Sequence, residues 1–158
     1  MIVVVVLAIA AVIAAPMFKA TDATRLDSAC KLLVADLQFA KMYSLSHPDT
    51  PCGIKIDGGS VGYRIGTSNA ATFNCATMVA VTDEISDAAY INTYGSGRAT
   101  ELKGVSVNAY SLGGDACVAF DALGALDQSA TATITLRAGG KDRVISIDAI
   151  SGEATIGP

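Results

Sequence analysis

At 158 residues the chain is long enough for one globular domain with an appendage, and 51 % of it is apolar while only 16 % is charged. Eleven basic residues against fifteen acidic ones leave a net charge of −4, so generic attraction to a phosphate backbone is missing and nucleic-acid binding is disfavoured. Residues 1–50 are balanced, with Lys19, Arg25, Lys31 and Lys41 against Asp22, Asp27, Asp36 and Asp49, and the whole deficit falls in residues 51–158.

Residues 1–15 contain no charge, no polar side chain and no glycine. At roughly 25 cal/mol per Å² of apolar surface, such a run is not left in water. A secretory signal needs a basic n-region, and the first base here is Lys19. A complete membrane helix needs about 20 apolar residues, and a core helix of a soluble domain would show a polar face. The run therefore reads as most of a membrane or filament-core helix, residues 1–16, with its beginning missing. Pro16 removes one helical hydrogen bond and bends the axis, so a kink is expected where the apolar run gives way to Met17, Phe18 and Lys19.

An amphipathic continuation of the helix is predicted over 17–47, because residues 20–46 contain neither glycine nor proline. Leu26, Ala29, Cys30, Leu33, Val34, Leu37, Ala40 and Ser44 share one arc at helical spacing and can cover a sheet. Arg25, Asp27, Lys31, Asp36, Gln38 and Lys41 are expected outside that arc or at its edge. Asp27 and Lys31 stand at i,i+4 in the favourable order for an ion pair. A second, thinner stripe of Leu32, Phe39 and Tyr43 points elsewhere and is a candidate contact for another subunit. His47 and the prolines 48 and 51 end the helix.

From residue 52 the pattern alternates, giving an antiparallel β body over 52–158. Strands are expected at 53–57 and 61–65 around the Gly58-Gly59 turn, then at 77–82, 104–110, 116–120, 131–136 and 142–147, with a short one at 153–156. Residues 66–76 read as a loop, 83–89 as an acidic connection and 94–98 as a turn. The expected fold class is α+β: a long N-terminal helix packed on an antiparallel sheet of six to eight strands.

Chemistry is sparse. The single histidine, His47, adjoins Ser46 at a helix end, where a capping or surface role is expected rather than a nucleophile pair. Gly95-Ser-Gly-Arg98 lacks the GK[ST] of a phosphate loop and reads as a β-turn. Asp83, Glu84 and Asp87 have the oxygen chemistry of a calcium site, but three acids on a loop are expected to be solvated. No catalytic residue, cofactor site or metal site is assigned. Four cysteines, Cys30, Cys52, Cys75 and Cys117, allow two disulfides in three connectivities and have no CxxC spacing. Cys52 with Cys75 is a local pairing, and Cys30 with Cys117 would staple helix to sheet. The alternative is that Cys30 and Cys117 are buried free thiols.

The apolar start Met1-Ile-Val-Val, the proline at 16 and the helix Arg25-Leu-Asp-Ser-Ala-Cys-Lys-Leu-Leu-Val-Ala-Asp-Leu-Gln-Phe-Ala-Lys41 together resemble a type IV pilin-like protein. The second segment is similar to the minor pseudopilins of type II secretion (the GspH family) and to the FimT minor pilins. Val118-Ala-Phe-Asp-Ala-Leu-Gly124 and Gly139-Gly-Lys-Asp-Arg-Val-Ile-Ser-Ile147 resemble that family's last strands. The family's basic leader and its glycine followed by Phe-Thr-Leu-Ile-Glu are not in this sequence, which is expected to start at an internal methionine or to be truncated.

The resemblance implies a non-catalytic subunit of a type II secretion or type IV pilus-like filament. Its implied partners are other pilins or pseudopilins, met through the N-terminal helix. It implies a single-pass inner-membrane anchor with the body in the periplasm, then assembly into a periplasmic pseudopilus or a surface pilus. No small-molecule substrate is implied. The FimT-like alternative is DNA binding during uptake, for which basic residues near the C-terminus are implicated. Here Ser151-Gly-Glu-Ala-Thr155 places an acid instead.

Overall fold

The computed structural model describes residues 21–59, 61–68, 72–83 and 87–157. The apolar run over 1–16 and the Pro16 kink lie outside them. Among the described residues no helix is long and apolar enough to cross a membrane.

Helix α1 spans Asp22–Ser46. Thr21 caps it, its hydroxyl accepting the Thr24 N–H at 3.3 Å, and Asp22 places a carboxylate in the first turn, where the helix dipole favours it. Asp27 and Lys31 form the expected ion pair at 2.6 Å. The predicted stripe is the buried face: Leu26, Ala29, Cys30, Leu33, Leu37, Ala40 and Ser44 are all buried, with Val34 half-buried at its margin. At the far end the buried Ser44 hydroxyl accepts the Cys52 N–H at 2.8 Å, bracing the helix against the first strand.

Nine strands follow among the described residues, in two antiparallel sheets. The first sheet holds β1 (Cys52–Ile56), β2 (Gly62–Thr67), β3 (Val79–Ala80), β4 (Ile91–Thr93) and β6 (Cys117–Phe120). Its order is β3-β2-β1-β6, and β4 shares the β3 side of β2 by pairing Gly62–Arg64. The second sheet holds β5 (Ser106–Ser111), β7 (Ala132–Ala138), β8 (Lys141–Ile147) and β9 (Ala154–Ile156), ordered β5-β7-β8-β9. Alternation buries Ile54, Ile56, Tyr63 and Ile65 in one sheet and Ile134, Leu136, Ile145 and Ile147 in the other. Helix α1 lies over both, touching β1, β2 and β6 and also β7, β8 and β9.

Three sequence readings need correction. The strand expected at 77–82 is only Val79–Ala80, continued by an isolated bridge between Thr82 and Ala89. The turn at 94–98 runs on into a 3₁₀ helix, Gly97–Leu102, after the unforeseen strand β4. Neither cysteine pairing is present: Cys75 and Cys117 are joined, while Cys30 and Cys52 are free and buried. The reason is topological. Cys117 opens β6, whose side of β1 is also reached by the loop carrying Cys75, and Lys55, the β1 residue opposite Cys117, donates to the Cys75 carbonyl at 3.0 Å.

Candidate functional site

A buried polar cluster lies between helix and first sheet. Asp36, expected at or beyond the edge of the apolar arc, is 2 % exposed. Its carboxylate accepts from the Tyr63 hydroxyl at 2.6 Å, from the Tyr90 hydroxyl at 2.8 Å and from the Asn92 amide. The Arg98 guanidinium stands 3.8 Å away. These partners come from β2, from β4 and the residue before it, and from the 3₁₀ helix, so one helical side chain ties down three separate pieces of chain. Gly62 makes this possible on the sheet side: a Cβ there would strike the Asn92 carbonyl, so only glycine lets β4 pair at that point.

Burial pushes the Asp36 carboxyl above its ordinary value, opposed by hydrogen bonds from Tyr63 and Tyr90, the Arg98 charge and the bond from Asn92. Burial also raises the Tyr63 and Tyr94 phenols, so both stay protonated; Tyr63 donates to Asp36, while the buried Tyr94 hydroxyl has no hydrogen-bond partner among the described residues. A carboxylate enclosed this fully presents no face to a substrate. Its geometry is that of a clamp, not of a general acid or base.

Outside the clamp runs an aromatic ladder. Arg98 sits 4.3 Å over the Tyr90 ring. Tyr90 stacks on Phe39 at 5.2 Å, Phe39 tilts against Tyr43 at 6.3 Å, and Tyr43 stacks on His47 at 4.3 Å. Two shallow grooves of about 520 and 650 Å³ share Phe39 and Tyr90 in their walls, one reaching Arg98 and the other reaching Tyr43, His47 and Val81. Of the predicted contact stripe, Leu32 and Tyr43 are half-buried against the core, and Phe39 is 38 % exposed. Asp36 explains why the stripe is not a separate face. On the helical projection it falls between Tyr43 and Ala29, joining the two arcs into one.

The Ser46 hydroxyl lies 2.9 Å from both the His47 ring nitrogen Nδ1 and the Tyr43 carbonyl. Donating to the carbonyl, it can only accept from the imidazole, which is the reverse of nucleophile activation. The His47 N–H caps the helix through the Tyr43 carbonyl at 2.9 Å. Asp83 and Asp87 share a turn, the Asp87 N–H donating to the Asp83 carbonyl at 2.8 Å, and Glu84 lies outside the described residues. Among the described residues no three acids, histidines or cysteines converge as metal ligands. Near the C-terminus the Lys41 ammonium donates to the Ser151 carbonyl at 2.7 Å.

No protein-family model and no curated protein matches the chain. Solved structures do. The type IV minor pilin FimU of Pseudomonas aeruginosa superposes with a TM-score of 0.55 at 23 % identity, over 84 % of this chain and 88 % of that one. The minor pseudopilin EpsH from the Type 2 Secretion System of Vibrio cholerae superposes with a TM-score of 0.58 at 9 % identity, over 84 % and 95 %. A helix laid over antiparallel sheets is common to them, and the chain has the pilin-like α+β fold of these minor pilins and minor pseudopilins.

Proposed function

We propose that the chain is a non-catalytic minor pilin-like subunit of a type II secretion or type IV pilus-like filament. In this reading the N-terminal helix anchors it in the inner membrane and packs against other pilins, with the body in the periplasm. The supporting observation is how α1 is used. One face is sealed onto two sheets and fixed by Asp36, while Phe39, Met42 and Leu45 remain exposed on the same helix. Spaced three residues apart, they form an apolar row on the outer side of the helix that a second helix can cover.

The test is fractionation of filaments sheared from cells that make them, with Phe39→Asp as the variant. The wild-type chain should travel with the filaments. The variant should fold, keep its disulfide and stay with the cells. A wild-type chain absent from sheared filaments, or a variant present at the wild-type share, counts against the reading. DNA binding is not favoured: residues 148–153 contribute two acids and no base.

A further inference from the structure

The charge of this acidic chain is unevenly placed. Residues 19–31 and 137–143 together hold six bases against three acids, and the remainder holds five bases against twelve acids. Each of those three acids already has a base: Asp22 pairs with Arg25 at 3.4 Å, Asp27 with Lys31 at 2.6 Å and Asp142 with Arg137 at 2.6 Å. Lys141 and Arg143 are both exposed and form no ion pair among the described residues. Arg143 makes one bond, from its guanidinium to the Gly157 carbonyl at 3.4 Å.

The fold brings the two segments to one end. Strand β7 turns into β8 at Gly139 and Gly140, whose φ angles of 56° and 76° make a tight two-residue hairpin turn. A Cβ on Gly139 would run into the Asp22 carboxylate, so the hairpin tip stands against the first residue of α1. Past the turn, alternation sends Lys141 and Arg143 to the side of the buried Ile145 and Ile147. Asp142 goes to the opposite side, where Arg137 and Asn108 hold it. The two free bases therefore flank the start of α1, beside the exposed Ala23. This is also the end to which the apolar run is attached. Asp22 is six positions beyond Pro16, and six residues span at most roughly 20 Å. With residues 1–16 in a bilayer, the hairpin tip is within reach of the headgroups.

We propose that Lys141 and Arg143 bind the phosphate groups of anionic phospholipids in the bilayer that holds the N-terminal run. A guanidinium fork matches phosphate oxygens in pairs, and the lysine adds a point charge. A base close to an anionic membrane surface strengthens binding about fivefold. The attraction fades within a Debye length of about 8 Å, so acids on the far side of the body oppose it little. The proposal rests on the reading of residues 1–16 as an anchor and adds what the body does while anchored. Two attachments fix its tilt over the membrane, whereas one leaves it free to swing.

The full chain is placed in lipid nanodiscs of phosphatidylcholine alone or mixed with phosphatidylglycerol, each with a trace of lipid carrying gadolinium on its headgroup. Paramagnetic relaxation of the backbone amides is read by NMR. Relaxation at residues 139–143 should be at least fivefold stronger in the anionic discs, should fall to the neutral-disc level at high salt, and should be absent at residues 121–125. K141E/R143E should lose the enhancement. The same variant should regain it in discs containing a cationic lipid, a gain that misfolding cannot produce. Equal relaxation in both compositions, or a charge-reversed variant that behaves as the wild type, would overturn the proposal while leaving the anchor standing. So would inorganic phosphate added to neutral discs, if it shifted the 141–143 amides as strongly as the anionic lipid does, since the site would then serve free phosphate. A chain that stays with discs of neither composition removes the anchor, and this proposal with it.

Discussion

The Asp36 carboxylate of the helix and the Tyr63 hydroxyl of β2 lie 2.6 Å apart, both almost without solvent contact. Leaving the buried Tyr63, Tyr90 and Asn92 donors without their acceptor costs about 1–3 kcal/mol for each group left unpaired. Asp36→Ala should therefore destabilise by about 3 kcal/mol or more, and Tyr63→Phe by about 1.5–3 kcal/mol, the range for a hydrogen bond to a charged group. Urea unfolding of both single variants and the double variant measures the coupling. Strict additivity would mean that the two groups do not act as one unit.

The same carboxyl gives a pH signature. Burial raises it above the ordinary Asp value of 3.8, so in the interval between the unfolded and folded values the folded state binds more proton than the unfolded chain. The stability this contributes is full below the unfolded value and is lost as pH rises through the folded one. Asp36→Asn cannot titrate. The unfolding free energy of the wild type minus that of the variant should fall as pH is raised from about 4 and then level off. A difference that grows with pH would show that the surrounding donors outweigh burial.

Cys75 and Cys117 are 42 positions apart, and closing a loop of that length in the unfolded chain is worth about 4 kcal/mol. Reduction, or the C75S/C117S variant, should lower stability by about 2–4 kcal/mol. The other two thiols behave differently. Burial pushes Cys52 up to about 12 and raises Cys30 as well, so neither should be alkylated in the native protein near neutral pH. Two thiols should become reactive on unfolding without reductant. Four would show that the disulfide is not formed.

Gly62→Ala tests the approach of β4. Its Cβ would meet the Asn92 carbonyl and lie 2.9 Å from the Thr93 Cα. Forced overpacking of this kind costs about 1–3 kcal/mol. Because Asn92 bonds to Asp36, the loss should appear as raised hydrogen exchange at residues 91–93 before the rest of the sheet opens. Uniform exchange over all the strands would count against a local effect.

The apolar arc of α1 was legible because helical spacing alone orders Leu26, Leu33, Leu37 and Ala40 onto one side. The strands with clean alternation, such as β7 and β8, were legible for the same reason. Asp36 was not, although one signal was present: it completes an i, i+3, i+4, i+7 set with Leu33, Leu37 and Ala40. A carboxylate at such a position is normally placed at the boundary, and only the tertiary arrival of Tyr63, Tyr90 and Asn92 makes its burial tolerable. Strand β4 was missed because three residues are too few to show a period. The cysteine pairing was missed because it depends on which strand β6 joins, a long-range choice that local spacing does not encode.

Helix α1 contacts strands of both sheets, and this has a mechanical consequence. A pull applied along the helix is divided between two sheets and resisted in shear by side chains along its whole buried side, rather than peeled from one edge at a time. Under load the body should yield in a single rupture, with the Asp36 clamp as part of the last contact to fail. A subunit loaded through its helix would then transmit force without losing the shape of its surface.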